Sequence, residues 1–179
     1  MTNILEVKNL TMHYETLDGD VDAVKNISFN VKAGESFGIV GESGCGKTSV
    51  AMSLLQLQAE NGKISNGSIL FDGIELVGMS ENDLRKVRWD GISIVFQGAM
   101  NAWNPVVKIG EQIREAMREH SPESTKSQNT LKIKELFSMV GLDASVADRF
   151  PHELSGGMKQ RAIIACLLYT SDAADDLLC

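Results

Sequence analysis

Eight residues, "GESGCGKT" from Gly41 to Thr48, satisfy the pattern G-x-x-x-x-G-K-[ST]. A glycine-rich backbone can curl until successive N–H groups converge, and with a helix start behind them they form a cradle for phosphate oxygens. Lys47 would set its ammonium on the outer phosphates, and Thr48 would offer its hydroxyl to a magnesium ion. Gly41, Ser43, Gly44, Cys45, Gly46 and Ser49 complete the expected lining. The apolar run "SFGIV" precedes the loop and "KTSVAMSLL" opens a helix after it, which is the context such a loop needs. Cys45 has no expected catalytic role, but a bulky group on its thiol should block the cradle.

A second stretch, "LSGGMKQR" from Leu154 to Arg161, places Ser155 as a helix N-cap, with Gly156 and Gly157 leaving the helix start open to close approach. Alone, serine and two glycines before a helix are an ordinary capped start. More than a hundred residues after a phosphate loop, between "PHE" and "QR", they read as more than an ordinary capped start.

The elements that must position these residues are partly legible. "ILEVKNLTMHY" alternates incompletely, "AVKNISFNV" more clearly, and "LDGD" between them is a hairpin turn. "SFGIVG" reads as a short buried strand and "ISIVF" as a further strand, "SILFDGIEL" as a strand pair and "NGKISNG" as a loop or turn. Helical spacing then takes over in "KIGEQIREAMREH", in "TLKIKELFSMVGL" up to Gly141, and from Ser155 onward, with "SPESTKSQN" as a polar loop. The 179 residues are 43% hydrophobic and 23% charged, enough for one domain with a sizeable core. The net charge of -7 argues against a nucleic-acid surface. Three cysteines with no C-x-x-C pair favour free thiols over a disulfide framework. The N-terminus has charges where a signal peptide needs an apolar core, and no apolar run is long enough to span a bilayer.

On the phosphate loop, "LSGGMKQR" and the "FQ" segment, the chain from about Leu5 to Ala165 resembles the nucleotide-binding subunits of ATP-binding-cassette transporters. "LDGDVDAVKNISFNVKAGESFGIVGESGCGKT", "FQGAMNAWNPV" and "PHELSGGMKQR" are similar to the dipeptide/oligopeptide (peptide/nickel) importer branch, with Gly98 and Ala99 departing from its usual acidic residue and proline. The resemblance implies an α/β fold. Its parts would be a P-loop NTPase core, an N-terminal antiparallel β subdomain and a helical insert subdomain. Residues of about 1–95 would carry the β subdomain and the phosphate-loop part of the core, about 96–154 the Q-loop and helical subdomain, and 155–165 the signature helix. It implies ATP and Mg2+ as cofactors. Tyr14 would stack on adenine, though a tyrosine packing on a core is an equal reading of that position. Gln97 would contact magnesium and the attacking water. Ser155, Gly156 and Gly157 would touch ATP held by a partner's loop in a head-to-tail dimer. Further implied partners are transmembrane permease subunits and, indirectly, an extracellular solute-binding protein, with no nucleic acid; the place is the cytoplasmic face of the membrane, peripherally.

In such subunits an apolar strand ending in aspartate and glutamate follows the signature helix. Here "LLYTSDAADDLLC" offers Asp172, Asp175 and Asp176, with no apolar strand before them and no glutamate. Residues 166–176 resemble the translation of a transposon-end adapter, so residues 166–179 are expected to be a non-native tail and the C-terminal part of the core to be missing; a genuine divergent C-terminus is the other reading of this stretch. The expectation is a chain that folds poorly alone and binds ATP with negligible hydrolysis. Two alternatives stand beside an importer ATPase: a nucleotide-binding fragment without catalysis, and a soluble cassette ATPase unconnected with transport.

Overall fold

The computed structural model describes residues 2–96, 98 and 101–169. The chain divides into two compact units, residues 1–86 and 87–179.

The first unit is built on a four-stranded antiparallel sheet of order β2-β1-β3-β4, from β1 (Asn3–Thr16), β2 (Gly19–Lys32), β3 (Gly62–Phe71) and β4 (Ile74–Glu75). The β1–β2 hairpin turns at Leu17 and Asp18, where "LDGD" predicts it, and pairs Thr16 with Gly19. The incomplete alternation of β1 has a physical cause. Val7, Leu10 and Met12 are all buried, yet Val7 and Leu10 are an odd number apart and would face opposite sides of a regular strand. A bulge absorbs the extra residue. Asn9 takes a φ of 50°, and the neighbouring strands are irregular at the same level, at Asn26 (φ 48°) in β2 and Gly67 (φ 105°) in β3. Hydroxyls take up the N–H groups freed there: Asn9 N donates to Ser28 Oγ at 2.8 Å, and Asn26 N to Thr11 Oγ1 at 3.1 Å.

This bulge corrects the reading of "NGKISNG" as a loop. Asn66-Gly67 looks like a turn but lies inside β3, where glycine is needed because a Cβ would stand 2.6 Å from Leu10 Cα and Lys8 O. Gly67→Ala is therefore expected to destabilise this unit by about 1–3 kcal/mol, since a left-handed φ and a backbone collision act together. Urea unfolding followed by sheet circular dichroism would show it, and an unchanged midpoint would refute it. The β3–β4 hairpin turns at Asp72-Gly73 (φ 47° and 77°), the two left-handed residues that a tight hairpin turn requires.

Helix α1 (Lys47–Leu54) follows the glycine-rich loop and is shorter than the apolar spacing suggests. The two expected core strands differ from expectation. Residues 36–41 and 92–96 are irregular, with Phe37 46%, Ile39 44%, Val40 95%, Val95 42% and Phe96 43% exposed. A buried parallel strand takes its backbone partners from neighbours distant in sequence. Among the described residues no strand pairs with either segment. Helix α2 (Glu81–Asp90), which the spacing of apolar residues does not announce, starts at Ser80, whose Oγ accepts from Asp83 N at 3.3 Å.

The second unit holds α3 (Ile109–His120), α4 (Lys126–Met139) and α5 (Gly156–Leu168), with 3₁₀ turns at Ala144–Asp148 and Pro151–Glu153. Ile109, Ile113 and Met117 recur on one face of α3 and pack with Ile133, Leu136 and Phe137 of α4 and Ala162 and Ala165 of α5. All three helices lie where helical spacing predicts, but α4 begins inside the expected polar loop. Thr125 and Gln128 form a capping box there: Gln128 N donates to Thr125 Oγ1 at 3.3 Å, and Thr125 N to Gln128 Oε1 at 2.8 Å. α4 ends at Gly141 (φ 66°), where Arg161 of α5 donates to the Gly141 carbonyl at 2.7 Å. Among the described residues no helix is long and apolar enough to cross a membrane.

Candidate functional site

The phosphate loop is held by the hairpin. Counting back from the turn pairs Tyr14 with Val21, which brings β1 and β2 beside residues 44–49. Gly46 caps α1 with a φ of 91°, and it lies so close to β2 that a Cβ there would collide with the Ala23 carbonyl. A cavity of about 440 Å³ results, lined by Tyr14, Gly44, Cys45, Gly46, Lys47, Thr48 and Ser49 together with Val21, Asp22 and Ala23 of β2. The sequence reading missed those three β2 residues; the hairpin register was the signal that could have found them.

The loop is arranged to accept an anion. Lys47 Nζ donates to the carbonyls of Gly41 at 2.9 Å and Glu42 at 2.5 Å, and lies 3.6 Å from Cys45 Sγ. Its charge is thus held inside the curled backbone by neutral acceptors that phosphate oxygens can replace with stronger, charge-assisted bonds. Cys45 N–H donates to the Glu42 carbonyl at 3.3 Å, while the N–H groups of Gly44, Gly46, Lys47 and Thr48 have no acceptor among the described residues. Unpaired donors at a helix start fit a phosphate group. The Tyr14 and Ser49 hydroxyls share a hydrogen bond of 3.2 Å, which ties the aromatic ring to the first turn of α1. Ser43 is an exposed residue of the same loop.

In the second unit Ser155 caps α5, its Oγ accepting from Met158 N at 3.4 Å. Ser155, Gly156 and Gly157 are exposed, and nothing lies within 4 Å of where a Gly157 Cβ would be. The start of α5 is thus an open surface, further fixed by Trp103 Nε1, which donates to the Lys159 carbonyl at 3.1 Å. Gln97 and the aspartates Asp172, Asp175 and Asp176 lie outside the described residues.

The two described thiols differ. Cys45 is exposed in the cavity, whereas burial pushes the Cys166 thiol up to about 11. Only thiolate reacts, so near about pH 8 a maleimide should label Cys45 well before Cys166. The label should fill the loop and abolish nucleotide binding. Peptide mass spectrometry with a binding assay checks both, and labelled protein that binds nucleotide normally would refute the steric account.

The family model described as ABC transporter matches residues 24–173. The chain is 41% identical over 167 residues to the dipeptide transport ATP-binding protein DppD of Lactococcus lactis, covering 92% of this chain and 48% of that protein. It is 41% identical over 176 residues to the oligopeptide transport ATP-binding protein OppD of Haemophilus influenzae, covering 94% and 52%. The chain spans about half the length of these relatives. The fold is similar to that of the dimeric ATP-binding cassette MJ0796 bound to ADP and Pi, with a TM-score of 0.79 and 28% identity over 93% of this chain and 69% of that one. It is similar also to CbiO1 of Clostridium perfringens, part of an ABC transporter complex, with a TM-score of 0.76 and 27% identity over 95% of this chain and 62% of that one.

Proposed function

Because the chain belongs to the ABC transporter family, we propose that it is the ATP-binding part of an importer subunit that couples ATP binding and hydrolysis to uptake of dipeptides or oligopeptides. The observation that carries this reading is the curled loop, where unpaired N–H donors surround Lys47 and Tyr14 stands at the cavity wall. Lys47 would exchange the Gly41 and Glu42 carbonyls for outer phosphate oxygens. The loop amides would take the inner phosphates, and Tyr14 would lie against the adenine ring. Thr48 and Gln97 would hold Mg2+, which when bound spreads the charge that builds up in phosphoryl transfer. Gln97 would also orient the attacking water and pass the nucleotide state to the membrane partner.

Ser155, Gly156 and Gly157 would close over nucleotide held by a second subunit, homo- or heterodimeric, in head-to-tail arrangement. Support comes from the exposed, capped start of α5 and from the dimeric form of the similar cassette MJ0796. Permease subunits would place the dimer peripherally on the cytoplasmic face of the membrane, with a solute-binding protein engaged indirectly. Within the 179 residues no aspartate–glutamate pair follows an apolar run after α5. The 179-residue chain is therefore expected to bind ATP with negligible turnover, as a nucleotide-holding fragment would.

ATP-driven pairing tests this reading. Sedimentation velocity should show the chain shifting from monomer to dimer on adding ATP. Gly157→Asp should block the shift while leaving ATP binding by the loop intact, because a carboxylate at that open position repels the partner's phosphates. ATP binding with no dimer in the unaltered chain would contradict the head-to-tail arrangement.

A further inference from the structure

The second unit contains a polar cavity that the nucleotide site does not use. It has a volume of about 160 Å³ and lies between α3 and the first turn of α4, lined by Glu111, Arg114, Arg118, Ser124, Lys126 and Asn129. Three cations face one carboxylate. Glu111 is held mainly by Arg114, at 2.8 Å from Nη2 and 3.1 Å from Nε, and more loosely by Arg118 at 3.5 Å. The Arg114 hydrogen bond keeps the Glu111 carboxyl below the usual range, so it stays ionised and its pair is satisfied. Arg118 and Lys126 then contribute charge in excess of what Glu111 neutralises.

Asn129 supplies the independent observation. It is only 4% exposed, it lines both this cavity and a neighbouring open one that includes Tyr169, and among the described residues its side-chain amide has no hydrogen-bond partner. The cavity opens at the positive end of a fourteen-residue helix. Its volume of about 160 Å³ is well under half of the 440 Å³ at the glycine-rich loop, which suits a small anion. The surplus of positive charge excludes a metal ion.

We propose that this cavity binds a small tetrahedral oxyanion of the phosphate type between the Arg118 guanidinium, the Lys126 ammonium and the Asn129 amide, with Arg114 retaining Glu111. Arg118 is the mobile member, because its side chain is 60% exposed and its contact with Glu111 is long. It can turn from Glu111 to the anion without uncovering a buried charge. Ser124 has spent its hydroxyl hydrogen on the Ser121 carbonyl at 2.8 Å and can only bound the cavity.

The test is titration of the 179-residue chain with sodium phosphate at constant ionic strength, sodium chloride balancing, read on ¹⁵N-resolved amide signals. The Asn129 side-chain amide should shift saturably with phosphate and not with chloride. Arg118→Ala and Lys126→Gln, both at exposed positions, should each weaken binding about tenfold, the size of one charge-assisted bond. Asn129→Asp should abolish it. O-Phosphoserine separates the sources: equal or tighter binding assigns the site to a phosphorylated side chain, and exclusion assigns it to the free anion. The Gly46 backbone amide reports phosphate in the loop separately. A shift at Gly46 with Asn129 unmoved, a shift at Asn129 that chloride reproduces, or one unaffected by Arg118→Ala would each overturn the proposal without touching the nucleotide site.

Discussion

Gly46→Ala is expected to abolish saturable Mg-ATP binding while leaving the helical unit folded. The added methyl would collide with the Ala23 carbonyl of β2, and a φ of 91° is a conformation that alanine rarely adopts. The loop could keep its shape only by pulling away from the hairpin, which removes Tyr14 and Val21 from the cavity wall. Gly44→Ala is the graded control. Gly44 also has a positive φ, of 80°, but open space where its Cβ would go. It should therefore carry only the backbone cost, about 1–2 kcal/mol, and bind about tenfold more weakly. Equal binding by both variants would mean that the Gly46–Ala23 approach does not shape the loop.

Phe137→Ala should have the largest effect on stability. Phe137 is fully buried where α3, α4 and α5 meet. Truncating such a phenylalanine costs about 3–5 kcal/mol through lost transfer energy and the cavity left behind. That is a large share of the roughly 5–15 kcal/mol available to a domain. Leu131 on the same helix is 61% exposed, and its replacement by alanine should cost less than about 0.5 kcal/mol. Urea unfolding read by helical circular dichroism separates the two, and similar midpoints for both variants would contradict the packing described.

The loop, the hairpin and the three helices of the second unit were legible because each carries its own local signal. These are a glycine pattern before a helix, a two-residue turn between alternating runs, and apolar residues three and four apart. The strands at residues 36–41 and 92–96 were not settled by sequence, because a short apolar run becomes a strand only when neighbours supply its hydrogen bonds. "NGKISNG" misled because Asn-Gly marks a turn locally, whereas Gly67 serves a bulge whose cause lies in β1, at Asn9. The start of α4 was hidden for the opposite reason: Thr125 and Gln128 look like loop residues until their reciprocal hydrogen bonds are seen. The site divides in the same way. Lys47 and Ser155 follow from motif spacing, while Val21 and Ala23 required the register of the hairpin, and nothing in the sequence marks Asn129 as a buried residue lining a cavity.

Calorimetric titration of the chain with Mg-ATP is the most direct test of the central claim, that the curled backbone around Lys47 grips a triphosphate against the β1–β2 hairpin. The expected result is one saturable site per chain, absent in Gly46→Ala. A folded sample giving no saturable heat up to about 1 mM ATP, equivalent to less than about 4 kcal/mol of binding free energy, would contradict it.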